Sequence, residues 1–310
     1  MSTTASLTER TVGDNRWFAE TGDIAFPNRS YSVQPEVLPD EASVGRAMLA
    51  ELEAVAQAKP ASEPVSIALL GGRGAQALHQ LLGEYARQGD PTGLLARLHV
   101  FTQDALAPLP MGNAFSFVRD FERLLGTAFW EQIRSFTPFY TEVQTVEEMA
   151  THVEAYLSRL HAVGGLDIFF LGHGPEPEDA SHLAYIKPGA GATWRDWAGI
   201  IPISESIREH HIAKFKAGGV VAEANEEDTC RHATHILTLG PAAILNAKRV
   251  VQSVVDAETA PAKKRTYRKV VETVFSNDPV ECAEQVNQNP GLWVRFHPKV
   301  RSLILPNVYS

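Results

Sequence analysis

The chain has 310 residues, 44% hydrophobic and 21% charged, which suits one large α/β domain or two small ones and excludes a disordered or fibrous protein. Its net charge of −9 argues against nucleic acid as the main partner, because phosphate backbones attract basic surfaces, yet leaves room for a small anionic ligand. Two cysteines, Cys230 and Cys282, make no disulfide framework. With no signal-like start and no apolar run near the ~20 residues that span a bilayer, a cytoplasmic protein without a membrane partner is expected.

Residues 1–35 are polar and broken by Gly13-Asp14, Pro27-Asn28 and Pro35. They read as an irregular extension that wraps the surface or contacts another subunit of a homo-oligomer. Residues 36–310 read as a single domain. Pro39 to Ala56 has Val44, Met48, Leu49, Leu52 and Val55 at helical spacing. Val65 to Leu70 is a short apolar strand ending in Gly71-Gly72-Arg73-Gly74, and Ala77 to Tyr85 follows as a helix. Leu98 to Thr102 is a second strand and Phe115 to Phe129 a helix. Met149 to Ala162 is a helix leading through Gly164-Gly165 into the strand Leu166 to Leu171. Ala233 to Leu239 is a strand, Ala242 to Ala247 a helix, and Arg249 to Val255 and Val300 to Leu305 the last strands. Buried strands alternating with helices predict a three-layer α/β fold, a mainly parallel sheet covered by helices on both faces. Ligands in such folds sit beyond the carboxyl ends of the strands.

That is where the chemically dense stretches fall. Gly72-Arg73-Gly74 joins a strand to a helix start, where backbone N–H groups and a guanidinium suit an anion, although many α/β turns carry glycine for geometry alone. Asp104 follows a strand end, placed for a catalytic base or for a simple cap. Gly172-His173-Gly174 opens a loop with Glu176, Glu178, Asp179, His182 and Lys187, proton carriers of different pKa in one place. Cys230-Arg231-His232 with His235, and His210-His211, bring metal-ligating residue types close in sequence. They lack the two separated ligand pairs of closed zinc sites, and no metal is expected.

In their order along the chain, these pieces resemble the glucosamine-6-phosphate deaminase/isomerase family and its 6-phosphogluconolactonase relatives, from about Pro39 to Pro306. The stretches that carry the resemblance are Gly164-Gly165-Leu166-Asp167 through Gly174, Thr238-Leu239-Gly240 through Ile244-Leu245-Asn246-Ala247, and Phe296-His297-Pro298. The resemblance implies a ribose-5-phosphate isomerase/CoA-transferase-like fold and enolisation of a phosphorylated sugar or amino sugar, without metal or organic cofactor. It places Gly72, Arg73 and Gly74 on the phosphate loop, Asp104 on the proton-shuttling base and His182 on the ring-opening histidine. Gly172 and Gly174 would line the substrate, and Lys214 and Lys263 would hold phosphate. The departures are specific: seven residues separate Gly174 from His182 where the family has three, and Ala180 stands where the family has a carboxylate. Asp179, Glu178 or Glu176 would have to supply that carboxylate, Asp179 standing first as the catalytic candidate. Lys187 replaces a glutamate, and is expected either to face the pocket, disfavour protonated His182 and pair with an extra acidic group on the ligand, or to extend to solvent and touch nothing. A lactone hydrolase using His182 to activate water, and a non-catalytic sugar-phosphate sensor, remain the alternatives.

Overall fold

The computed structural model describes residues 7–20, 25–258 and 260–309. Its strands in chain order are β1 (Leu7–Val12), β2 (Asn15–Glu20), β3 (Pro35–Val37), β4 (Val65–Leu69), β5 (Leu98–Thr102), β6 (Asp104–Ala107), β7 (Ser135–Thr137), β8 (Ile168–Leu171), β9 (Gly174–Pro175), β10 (Ser181–His182), β11 (Asp196–Pro202), β12 (His235–Leu239), β13 (Arg249–Val254) and β14 (Val300–Ile304). The helices are α1 (Glu41–Gln57), α2 (Gln76–Arg87), α3 (Phe117–Leu125), α4 (Thr127–Gln132), α5 (Val146–Ala162), α6 (Glu205–Ala217), α7 (Ala224–Arg231), α8 (Pro241–Asn246), α9 (Ala262–Glu272) and α10 (Pro279–Gln288).

Seven strands form a parallel sheet in the order β3-β14-β13-β8-β4-β5-β7. Alternation along each strand feeds two cores. Ile168 and Phe170 of β8 join Val65, Ile67 and Leu69 of β4 against Val44, Met48 and Leu52 of α1. Phe169 and Leu171 point the other way, into a cluster with Ala68, Phe101 and the α5 residues Met149, Val153 and Leu157. Burial on both faces makes these strands continuous apolar runs, which is why they are readable from sequence. Local chemistry fixes the helix ends. The Asp40 carboxylate accepts from the Ser43 amide at 2.7 Å, and Thr145 with Glu148 forms a capping box at the start of α5. Asp167 closes the far end of the sheet, accepting from Lys59 at 2.8 Å, Lys248 at 2.7 Å and the Ser66 amide at 2.9 Å.

Five further strands form a second, antiparallel sheet in the order β1-β2-β11-β12-β6, which the sequence reading did not foresee. The reading of residues 1–35 as irregular is therefore corrected for those described. Residues 7–20 are a hairpin that pairs with β11, and Pro35–Val37 joins the parallel sheet beside β14. Residues 1–6 and 21–24 of that stretch lie outside the described residues, as does Thr259. The predicted helix Phe115 to Phe129 is two helices, broken at Gly126, whose φ of +74° favours glycine. The predicted strand Ala233 to Leu239 forms, but in the antiparallel sheet.

The hairpin is anchored by Trp17, fully buried, whose indole N–H donates to the Ala190 carbonyl at 3.1 Å. Its ring fills the space above Gly199, where an added Cβ would come within 2.5 Å of the indole. Trp17→Ala is expected to cost about 3–5 kcal/mol, the usual loss for a buried tryptophan, measured as a lower urea midpoint at unchanged slope.

Candidate active site

Between β5 and β6 the chain changes sheets within one residue. Gln103 follows β5 of the parallel sheet and precedes β6 of the antiparallel one. Its N–H donates to the Leu69 carbonyl at 3.0 Å and its carbonyl accepts from the Leu239 amide at 2.9 Å. Asp104, next in line and paired in register with Thr238, is thereby held at the seam, 3% exposed. Its Oδ2 accepts from the Gln103 side-chain amide at 2.6 Å, while Oδ1 has no hydrogen-bond partner among the described residues. Burial raises its pKa to about 6, against the opposing pull of the Lys214 ammonium and the Gln103 amide.

A cleft opens at this seam. Its walls include Arg73, Gly74, Asp104, Gly172, Gly174, His182, Lys214 and Lys263, so most of the residues singled out from sequence converge there. Gly72 adjoins it, with φ at +75° and the Lys214 stem packed where a side chain would begin. The loop after β4 runs as a short turn, Arg73–Ala75, into α2, whose first turn has no side-chain cap. Arg73 divides its charge with Glu41, at 2.6 Å. Lys214 extends from α6 with its Nζ 4.6 Å from the Tyr185 ring centroid and 5.0 Å from that of Phe117. Burial lowers its pKa to about 8, with Asp104 pulling the other way. Lys263, buried at the start of α9, is paired with Asp256 at 2.5 Å.

His182 lies opposite Gly174 in the β9–β10 ladder. A Cβ at Gly174 would fall 1.7 Å from His182 Nε2, so that glycine makes the space the imidazole occupies. His182 Nδ1 is 2.6 Å from Glu176 Oε1, and Glu176 Oε2 also accepts from Ser206 at 3.0 Å. The carboxylate fixes the proton on Nδ1 and leaves Nε2 as an acceptor. Burial lowers the His182 pKa; Glu176 opposes, and Lys214 and Lys263 add to the lowering.

Two expectations are corrected. Asp179 is not the partner of His182: it sits outside the cleft and pairs with Arg265 at 2.8 Å, because the longer loop turns through positive φ at Glu178 and Asp179 and carries their side chains away. Glu176, at the loop's start beside the ladder, takes the position. Lys187 does not face the cleft; its ammonium donates to the Pro202 carbonyl at 2.7 Å. It is not among the charges acting on His182, and the case for an extra acidic group on the ligand falls with it.

The cleft also holds residues the sequence reading did not assign, notably His173, Tyr185, His210, Ser253 and Asp256. Tyr185 sits in a left-handed turn, φ +55°, that Thr238 secures through the Ala184 carbonyl. The Tyr185 hydroxyl is 2.7 Å from His211 Nδ1, while His211 Nε2 is 2.8 Å from the Phe115 carbonyl. Since a carbonyl only accepts, His211 is protonated on Nε2 and the tyrosine donates to Nδ1. Of the residues weighed for metal, Cys230 is buried, His232 Nδ1 bonds the Asp228 carbonyl and His235 Nδ1 the Thr234 hydroxyl. Among the described residues no group of three or more His, Cys, Asp or Glu is arranged to hold a metal ion.

No family model matches the chain, and no curated protein aligns with it. Solved structures do. A monomeric glucosamine-6-phosphate deaminase, described as a missing link of the NagB superfamily, matches with a TM-score of 0.67 at 15% identity, over 89% of this chain and 98% of its own. The 6-phosphogluconolactonase of Trypanosoma cruzi matches with a TM-score of 0.62 at 16% identity, over 90% and 97%. That of Trypanosoma brucei gives 0.60 at 18% identity, over 90% and 98%. The resemblance read from scattered motifs thus meets a likeness of whole chains, and the protein has the α/β fold shared by glucosamine-6-phosphate deaminase and the 6-phosphogluconolactonases of the NagB superfamily, in widely diverged sequence.

Proposed function

We propose that the protein is an enzyme that enolises a phosphorylated sugar, as an isomerase or deaminase of hexose phosphates. The observation that carries this reading is Asp104, a buried carboxyl on the cleft wall with an unpartnered oxygen and a pKa of about 6. Such a group is a poor structural element and a good base near neutral pH. Arg73, Lys214, Lys263 and the amides opening α2 supply the anion-binding side. His182, oriented by Glu176, takes the hydroxyl proton when the sugar ring opens. The substrate's own carbonyl accepts the charge of the enolate.

A second reading has its own support. The Glu176–His182 pair leaves Nε2 free to activate water, which is what a lactonase needs. Asp104 separates the two. Asp104→Asn is expected to abolish hydrogen exchange at C2 of hexose phosphates in heavy water while leaving binding within a few fold. Hydrolysis of 6-phosphogluconolactone that survives Asp104→Asn and is lost in His182→Gln would establish the lactonase instead.

The raised Asp104 pKa also sets a stability effect of definite sign. The folded state binds this proton more tightly than the unfolded chain, so stability falls as pH rises from roughly 4 to 6. Asp104→Asn should therefore stabilise the protein at pH 7 by about 1–3 kcal/mol and give no gain at pH 3.5, read from urea titrations at the two pH values.

For the wild type, kcat/KM should follow a bell. It falls about tenfold per unit below pH 6, where Asp104 takes up its proton, and again above about pH 8, where Lys214 loses its charge. An acid limb near 4 would mean that Asp104 is not the base.

A further inference from the structure

The adjacent histidines of α6 do different work. His211 faces inward and is fully engaged by Tyr185 and Phe115. His210, four residues before Lys214 and so on the same face of the helix, lines the cleft beside it. Its ring centroid is 5.8 Å from that of His182. No hydrogen bond joins it to another described residue.

Enolisation needs more than a base. As the C–H bond breaks, charge gathers on the carbonyl oxygen, and a hydrogen-bond donor aimed there lowers the barrier. Among the neutral side chains of the cleft that carry a single donor, the others are committed, and the Gln103 amide spends one of its two N–H bonds on Asp104. The Tyr185 hydroxyl donates to His211. Ser253 donates to the Gly74 carbonyl at 2.7 Å. His182 directs its N–H at Glu176. His173 Nε2 is 2.7 Å from Thr266 Oγ1, whose own proton goes to the Lys263 carbonyl, so His173 spends its N–H there. His210 retains a free ring N–H.

We propose that His210 is a catalytic residue of the enolisation, donating its ring N–H to the carbonyl oxygen of the open-chain sugar while Asp104 removes the proton from the adjacent carbon. This rests on the enolisation reading above. The C–H electron pair becomes the new C=C bond, the carbonyl π pair moves onto the oxygen facing His210, and the proton resides on Asp104. Asp104 then returns it to the neighbouring carbon as the hydroxyl proton passes to the former carbonyl oxygen, completing an isomerisation with no net change in electrons. Burial, with Lys263 and Lys214 close by, keeps His210 uncharged. A neutral imidazole is an established electrophilic partner for a carboxylate base in enolisation, because its N–H acidity lies close to that of the enediol.

The experiment follows hydrogen exchange at C2 of glucose 6-phosphate and glucosamine 6-phosphate in heavy water, by proton NMR, with thermal unfolding of each variant alongside. The wild type should exchange at least one of the two, and Asp104→Asn neither. His210→Ala should lower kcat about 10²–10³-fold, the scale of losing one such donor, with KM within a few fold and the melting temperature unchanged. His210→Gln, which keeps a neutral N–H, should recover at least about tenfold over His210→Ala. Wild-type exchange in His210→Ala, with Asp104→Asn inactive, would overturn the role of His210 alone. So would a loss shared by His210→Ala and His210→Gln that tracks their melting temperatures. No exchange of either sugar by the wild type would overturn the enolisation reading and this role together.

Discussion

Everything in the cleft depends on the chain passing from one sheet to the other at Gln103. A residue at such a crossing has its backbone claimed on both sides, by Leu69 in one sheet and Leu239 in the other. The residue after it has no freedom to swing toward solvent. Asp104 occupies that place, and its charge is held away from water by the geometry of the backbone rather than by any attraction. An unsupported carboxylate in such a position weakens a fold. Lys214 and Gln103 offset part of the cost, and the remainder appears as the raised pKa. The strain of the site is thus electrostatic and is set by topology.

The surrounding groups follow one electrostatic rule. Lys214 and Lys263 bring positive charge to a poorly solvated place, and each histidine near them is held in the neutral form: His173 and His211 to a pKa of about 3, His210 well below its ordinary value. Two of them have a carboxylate that pulls in the opposite direction, Glu176 for His182 and Asp256 for His173. Under the proposed enolisation the tasks would be separate: the lysines and Arg73 carrying charge for an anion, the imidazoles acting as neutral donors and acceptors, and one carboxylate taking the proton.

How much of this could be read from the residues varied with how directly side-chain type fixes position. The strands at Val65–Leu69, Ile168–Leu171 and Arg249–Val254 were legible because burial on both faces leaves an apolar run. The second sheet was not. β6 begins with an aspartate, β11 contains Gly199 and ends at Pro202, β1 is mostly polar and partly exposed, and β2 offers only the short apolar run Trp17-Phe18-Ala19 between polar residues. Asp104 was readable from its place after a strand. Glu176 was not separable from Glu178 and Asp179, because only the left-handed turn at residues 178 and 179 decides which carboxylate stays beside His182. Lys187 misled for a related reason: alignment to a motif gives a position along the chain, whereas the direction of the side chain depends on the Pro202 carbonyl contributed by β11. His210 could be noticed only as half of a histidine pair, and nothing in the pair says which half faces the cleft.

The N-terminal hairpin has a consequence for how the molecule is made. Trp17 reaches its hydrogen-bond acceptor, Ala190, across 173 residues of chain, and the strand it packs on is β11. Translation at about 5–20 residues per second leaves roughly 10–35 s between the appearance of the tryptophan and that of its site. During that interval Trp17 and Phe18, both fully buried in the finished protein, have no native surface to cover them. The parallel sheet can begin to assemble from β4, β5 and β8 in the same period, because its early strands are close neighbours in sequence. The hairpin precedes β4, β5 and β8 in the chain yet cannot dock until β11 has followed them.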